Sequence, residues 1–170
     1  MATKALFLDR DGVVNVDKHY VFRAEDFEWI PGIFDVCRAA EKKGYGIFIL
    51  TNQSGIARKY YSEEDFHRLT EYMIERFVTE GIHLKDVFFC PFLDLKHEDR
   101  KPNPGMFLKA KAKHSIDMAK SMNIGDNPRD IEAGLAAGVS RNYLFSPEGD
   151  KSCPQATEKI SSLSDIIPIL

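Results

Sequence analysis

The chain has 170 residues, 44% of them apolar, with 26 acidic against 23 basic side chains and a formal net charge of −3. That length suits one domain over 1–170, with a core that needs neither disulfides nor a metal staple. The charge offers no basic field for nucleic acid, no run reaches the ~20 apolar residues of a membrane span, and Cys37, Cys90 and Cys153 are scattered and odd in number, as reduced thiols are.

Residues 4–8, KALFL, are an apolar run too short for a helix and read as a central strand. Before them, MATKALFLD carries no long apolar core, so no signal peptide is expected, and a soluble, cytoplasmic monomer is the default. PGIFDVCRAAEKKG (31–44) opens on Pro and closes on Gly, with Ile33, Val36, Cys37 and Ala40 at helical spacing. YGIFILT (45–51) is a second buried strand. The stretch 62–81 starts with Ser62 as N-cap and acids in its first turn, and Phe66, Leu69, Met73, Ile74 and Phe77 make one apolar face. A strand at 86–90, a helix at 104–114, a strand at 121–126, a helix at 128–138, a strand at 140–145 and a weak closing helix at 162–170 complete the chain. This alternation predicts an α/β fold: a three-layer, doubly wound, mostly parallel sheet with right-handed crossovers. The least regular pieces are 16–30 and 91–103, with a polar stretch at 146–161.

Open parallel sheets bind ligands beyond the carboxyl ends of their strands. Here those ends read Asp9-Arg10-Asp11, Thr51-Asn52-Gln53 and Gly125-Asp126-Asn127, and Arg100-Lys101 leads from the strand at 86–90 into the next helix. Like charges at Asp9 and Asp11 need a partner once they leave water. With Asp126 they can hold one hard divalent cation, and Mg²⁺ suits oxygen ligands; a main-chain carbonyl there can add to the set. Carboxylates, cations and Mg²⁺ together point to phosphoryl transfer. One Asp can attack phosphorus and form an aspartyl phosphate, and an Asp two residues on can give and take the proton.

Each motif also has a plain structural reading. Asn52, Ser54 and Gly55 have turn chemistry, Lys101 suits a solvated position before a helix, and Asp126 and Asn127 can cap the helix whose first turn holds Asp130. Arg10 reads equally well as a surface residue. Gln53, Arg58 and Lys59 read as solvated groups or as contacts to a distal phosphate or sugar hydroxyl. His19, His67, His83 and His114 lack partners at metal spacing, and Trp29 beside Phe27 reads as packing.

Taken jointly, FLDRDGVVN, LTNQSG, RKPNPGM and IGDNPRDIEAG resemble, in order, the four motifs of the haloacid dehalogenase superfamily of phosphohydrolases. The resemblance covers nearly the whole chain. It implies a Rossmann-like core, Asp9 as nucleophile, Asp11 as acid/base, Thr51 and Lys101 on the phosphoryl group, and Asp9, Asp11 and Asp126 on Mg²⁺. It also implies Asn52, Gln53, Arg58 and Arg100 as substrate contacts. DRDGVVNVDKHYVFRAEDFEWIPG, TNQSGIARKYYSEEDF and DRKPNPGM are similar to the D-glycero-D-manno-heptose-1,7-bisphosphate phosphatases, and match the related histidinol-phosphate phosphatases less well over 16–30. Both groups lack a large cap domain.

The implied activity is Mg²⁺-dependent removal of the 7-phosphate from that heptose bisphosphate, in nucleotide-heptose biosynthesis, with a small phosphorylated sugar as partner and neither nucleic acid nor membrane. The alternatives are histidinol phosphate or another small monoester, and a non-catalytic phosphate-binding protein on the same fold. A receiver domain would lack a proton donor at Asp11. Two departures from the family stand out. Its zinc loop has Phe92 in the His place and only Cys90, His97 and Asp99 as remnant positions, so zinc is not expected. Asn127 replaces the lysine common after the fourth-motif Gly-Asp.

Overall fold

The computed structural model describes residues 2–170. Ten regular elements run β1 (Lys4–Leu8), α1 (Ile33–Lys42), β2 (Tyr45–Asn52), α2 (Glu63–Thr79), β3 (Leu84–Cys90), α3 (Gly105–His114), β4 (Met122–Gly125), α4 (Pro128–Ala136), β5 (Arg141–Phe145) and β6 (Glu158–Ile160). The strands form one sheet in the order β3-β2-β1-β4-β5-β6, and every pairing is parallel. Alternate strand residues feed opposite cores. Leu6, Leu8, Ile47 and Ile49 pack with Ile33, Val36 and Cys37 of α1 and Leu69, Met73 and Phe77 of α2. Ala5, Phe7, Phe48 and Leu50 pack with Met106 and Phe107 of α3 and Ala133 of α4. These are the three layers of the expected doubly wound fold. The two longest insertions on the site side, 9–32 and 91–104, are loops rather than a cap domain. Among the described residues, no helix is long and apolar enough to cross a membrane.

Local sequence sets most boundaries. Ser62 caps α2 in a reciprocal box with Asp65, and Asn127 caps α4 in the same way with Asp130. The closing segment differs from expectation: Leu163–Ile169 is a 3₁₀ helix that contains Pro168, which has no N–H to continue an α-helical ladder. The strand β6 was not expected at all. It lies in the polar 146–161 stretch, spans three residues at the sheet edge and has one buried side chain, too little to make a pattern. Cys37 and Cys90 are buried free thiols and Cys153 is half-buried.

The chain winds outward from β1 through β2 to β3, then returns to place β4 on the other side of β1. That reversal opens a crevice at the carboxyl ends of β1 and β4, where Asp9 and Asp126 stand. A polar pair braces this half of the sheet. Asn123 Nδ2 donates to the Asp130 carbonyl at 3.0 Å and to Asn142 Oδ1 at 3.1 Å, and Asn142 Nδ2 donates to the Val139 carbonyl at 2.8 Å. Gly134 makes room for it, since a Cβ there would stand 2.1 Å from Asn142 Oδ1. Gly134→Ala should therefore destabilise the protein by about 1–3 kcal/mol, read as a lower urea midpoint at unchanged slope.

Candidate active site

The site is built around one buried ammonium. Lys101 Nζ donates to Asp9 Oδ1 at 3.1 Å and to the Leu50 carbonyl at 2.8 Å, and lies 2.8 Å from Asp130 Oδ1. Its backbone is clamped by Asn52, whose amide donates to the Lys101 carbonyl and accepts from the Lys101 N–H, both at 3.1 Å. Asp9 is fixed in turn by its own N–H on the Ile124 carbonyl and by the Arg10 N–H on Oδ1 at 2.9 Å. One oxygen each from Asp9, Asp126 and Asp130 lies within 4.8 Å of the others.

The electrostatics follow from burial. Burial first, and then Asp130, push the Asp9 carboxyl well above the usual carboxylate range; Lys101 works against them. Burial and Asp130 also raise Asp126, and Lys151 opposes the rise. At Lys101, burial disfavours the charge, but Asp130 and Asp9 outweigh it and its pKa rises. Three crowded carboxylates are a set of hard oxygen donors that fits a cation such as Mg²⁺. Gly12 keeps the space beside them open: its φ is +95°, and a Cβ there would stand 2.2 Å from Asp126 Oδ2. Asp130 is committed on both oxygens, to Lys101 and to the Asn127 N–H at 3.1 Å, which leaves Asp9 and Asp126 as the groups nearest to free.

Several sequence expectations change here. The Asp11 carboxylate lies outside the three-acid cluster. Arg10 Nη2 and Asn15 Nδ2 donate to its Oδ1, and Gln53 Nε2 to its Oδ2, each at 3.0 Å. Arg10 is no surface residue. It is 1% exposed, donates to the Val21 carbonyl at 2.8 Å and lies over the Phe66 ring. Gln53 is buried and ties Asp11 to Thr51 Oγ1 (2.8 Å), while its own carbonyl accepts from Tyr61. Gln53 and Asn52, expected to meet substrate, line the cleft and also hold Asp11 and Lys101 in place. Thr51 is buried beneath the rim. Arg100 and Arg58 reach the cleft as well, and Arg100 Nη1 is anchored on the Phe92 carbonyl at 2.8 Å. At the remnant zinc positions, Asp99 pairs with Lys109 and its N–H donates to His97 Nδ1 at 3.1 Å.

The cleft above Asp9 holds about 440 Å³. One wall is Asp17, His19 and Tyr20 from the 16–30 segment, and the other carries Arg129 and Lys151. Sequence reasoning passed over Arg129 and Lys151. The rule that found Asp9 and Asp126 would have found Lys151 too, had it been applied to the loop after β5. Lys101→Met should leave buried acids uncompensated and cost about 3–5 kcal/mol, measured by urea unfolding at neutral pH.

Known proteins match this chain throughout. Residues 5–141 match the family model described as polynucleotide kinase 3 phosphatase. The chain is 50% identical over 148 residues to the D-glycero-alpha-D-manno-heptose-1,7-bisphosphate 7-phosphatase of Campylobacter jejuni, covering 87% of this chain and 86% of the relative. It is 40% identical over 178 residues to the D-glycero-beta-D-manno-heptose-1,7-bisphosphate 7-phosphatase of Vibrio cholerae, covering 98% and 95%. Among solved structures, D,D-heptose 1,7-bisphosphate phosphatase from B. bronchiseptica, complexed with magnesium and phosphate, superposes with a TM-score of 0.87 at 25% identity, covering 98% of this chain and 97% of that one.

Proposed function

Because this chain belongs to the family of the D-glycero-D-manno-heptose-1,7-bisphosphate 7-phosphatases, within the haloacid dehalogenase superfamily, we propose that it hydrolyses the 7-phosphate of that sugar bisphosphate through an aspartyl phosphate. The observation that carries the chemistry is the Asp9 carboxylate at the sheet's switch point, charge-balanced by Lys101 and facing the same cleft as Asp11. Asp9 and Asp126 are the residues proposed to hold Mg²⁺, with Asp130 behind them, and bound Mg²⁺ would neutralise phosphoryl charge there.

In the first step an Asp9 oxygen attacks phosphorus in line, the bond to the sugar oxygen breaks, and Asp11 gives that oxygen its proton. In the second, Asp11 takes a proton from water, the water oxygen attacks phosphorus, and the bond to Asp9 breaks to release inorganic phosphate. Lys101 serves the first step by favouring the carboxylate form of Asp9 against burial, and the second by stabilising the carboxylate that leaves phosphorus. Gln53, Arg10 and Asn15 fix the direction of Asp11, and Thr51 supports Gln53. Arg58, Arg100 and Arg129 give the cleft the cations that a second phosphate needs, and Arg suits planar recognition of phosphate oxygens.

The test is phosphate release, with and without Mg²⁺, from both anomers of the heptose bisphosphate, histidinol phosphate, fructose 1,6-bisphosphate and a chromogenic monoester. A strong Mg²⁺-dependent preference for one heptose anomer is expected, and even, weak turnover across the panel would remove the heptose assignment. Asp9→Asn should lose at least about 10³-fold in kcat with its circular dichroism unchanged. Asp11→Asn should lose about 10²–10⁴-fold on the sugar phosphate, and ordinary turnover by it would end the acid/base role.

A further inference from the structure

The loop after β5 takes no part in the steps above, yet it is built with care. Ser146 is buried, and its hydroxyl accepts from the Lys151 N–H and donates to Asp150 Oδ1, both at 3.1 Å. Gly149, at φ 71°, closes the turn with its N–H on the Ser146 carbonyl at 3.0 Å. From β6, Lys159 Nζ donates to the Gly149 carbonyl at 3.1 Å. This turn delivers the Lys151 ammonium to Asp126 Oδ2, 3.1 Å away.

The pairing is unusual in its partner. Asp126 is 15% exposed, and it is one of the two carboxylates proposed to hold the metal. A divalent cation on Asp126 and an ammonium on the same carboxylate repel at close range. Of the cluster's two lysines, the one less firmly held can then yield. Lys101 cannot, because it is 2% exposed and fixed by Asp9, Asp130 and the Leu50 carbonyl. Lys151 can: its side chain is 36% exposed, has Asp126 as its one side-chain partner and already lines the cleft. An anionic substrate in the same cleft would then offer Lys151 a new partner.

We propose that Lys151 is a resident counter-cation of the metal site, paired with Asp126 until a divalent cation displaces it, and then handed to the anionic substrate in the same cleft. This rests on the reading that Asp126 holds a metal. Lys151 thereby weakens metal binding to the free enzyme and couples metal binding to phosphate binding, so that each promotes the other.

The test uses the full chain without sugar substrate. Mn²⁺ binding, followed by the paramagnetic resonance of free Mn²⁺, should be about threefold to tenfold tighter in Lys151→Met and close to wild type in Lys151→Arg. Lys120→Met, at the opposite end of β4, controls for loss of charge and should change nothing. Calorimetric titration of inorganic phosphate at saturating Mn²⁺ should show weaker binding in Lys151→Met, restored in Lys151→Arg. Unchanged or weaker Mn²⁺ binding in Lys151→Met overturns the counter-cation role, and unchanged phosphate affinity overturns the hand-over. Wild type that binds no Mn²⁺ removes the metal reading itself. Neither titration uses a heptose, so loss of the sugar assignment would leave both results standing.

Discussion

The ion pair between Lys101 and the acids Asp9 and Asp130 is the constraint on which the rest of the site depends. A buried ammonium costs several kcal/mol of lost hydration unless its partners are close and themselves fixed. Here each is fixed by a different part of the fold. Asp9 ends β1, Asp130 caps α4, and the Leu50 carbonyl belongs to β2. Lys101 itself comes from the loop between β3 and α3, held by Asn52 at the end of β2. One side chain thus ties together the end of β1, strand β2, the first turn of α4 and the loop between β3 and α3. Gly125 belongs to the same arrangement, since a Cβ there would meet Asp130 Cβ at 2.2 Å and drive the acid from its place.

The pair does not neutralise the site. Asp9, Asp126 and Asp130 crowd within one small volume, and the ammonium groups that touch them are Lys101 and Lys151. Burial first, and the neighbouring Asp130 next, push the Asp9 and Asp126 carboxyls up. A crowded cluster of hard oxygen donors suits a small dication, which would relieve the repulsion among the acids. The same crowding explains why a lysine from outside the motifs is drawn to Asp126.

Most of the fold could be read from alternation alone, because buried parallel strands such as YGIFILT and capped helices such as the one after Ser62 carry strong local signals. Asp9, Asp126 and Lys101 could be read because the doubly wound topology puts strand ends together wherever they fall in the chain. What escaped was whatever depends on side-chain direction. Asn52 and Gln53 line the cleft, but nothing in the sequence shows that one also turns to the Lys101 backbone and the other to Asp11. Arg10 sits between two acids in a loop, and only tertiary structure shows its guanidinium running inward over Phe66. β6 was illegible because three edge residues with one buried side chain have no period.

Arg10 also explains how a compact chain shapes a pocket without a cap. Its guanidinium joins Asp11 to the Val21 carbonyl, so the Asp11 loop and the 16–30 segment are fastened to each other. Gln53 extends the link through Tyr61, whose ring stacks on Phe22 at 5.3 Å between centroids. Tyr20 then packs edge-on against Tyr60 at 4.8 Å, above Gly55, where any side chain would strike Tyr61. The wall of the cleft that carries Asp17, His19 and Tyr20 is therefore held by the residues that orient Asp11. The wall and Asp11 belong to one continuous network, so a change in the wall reaches Asp11 without touching it.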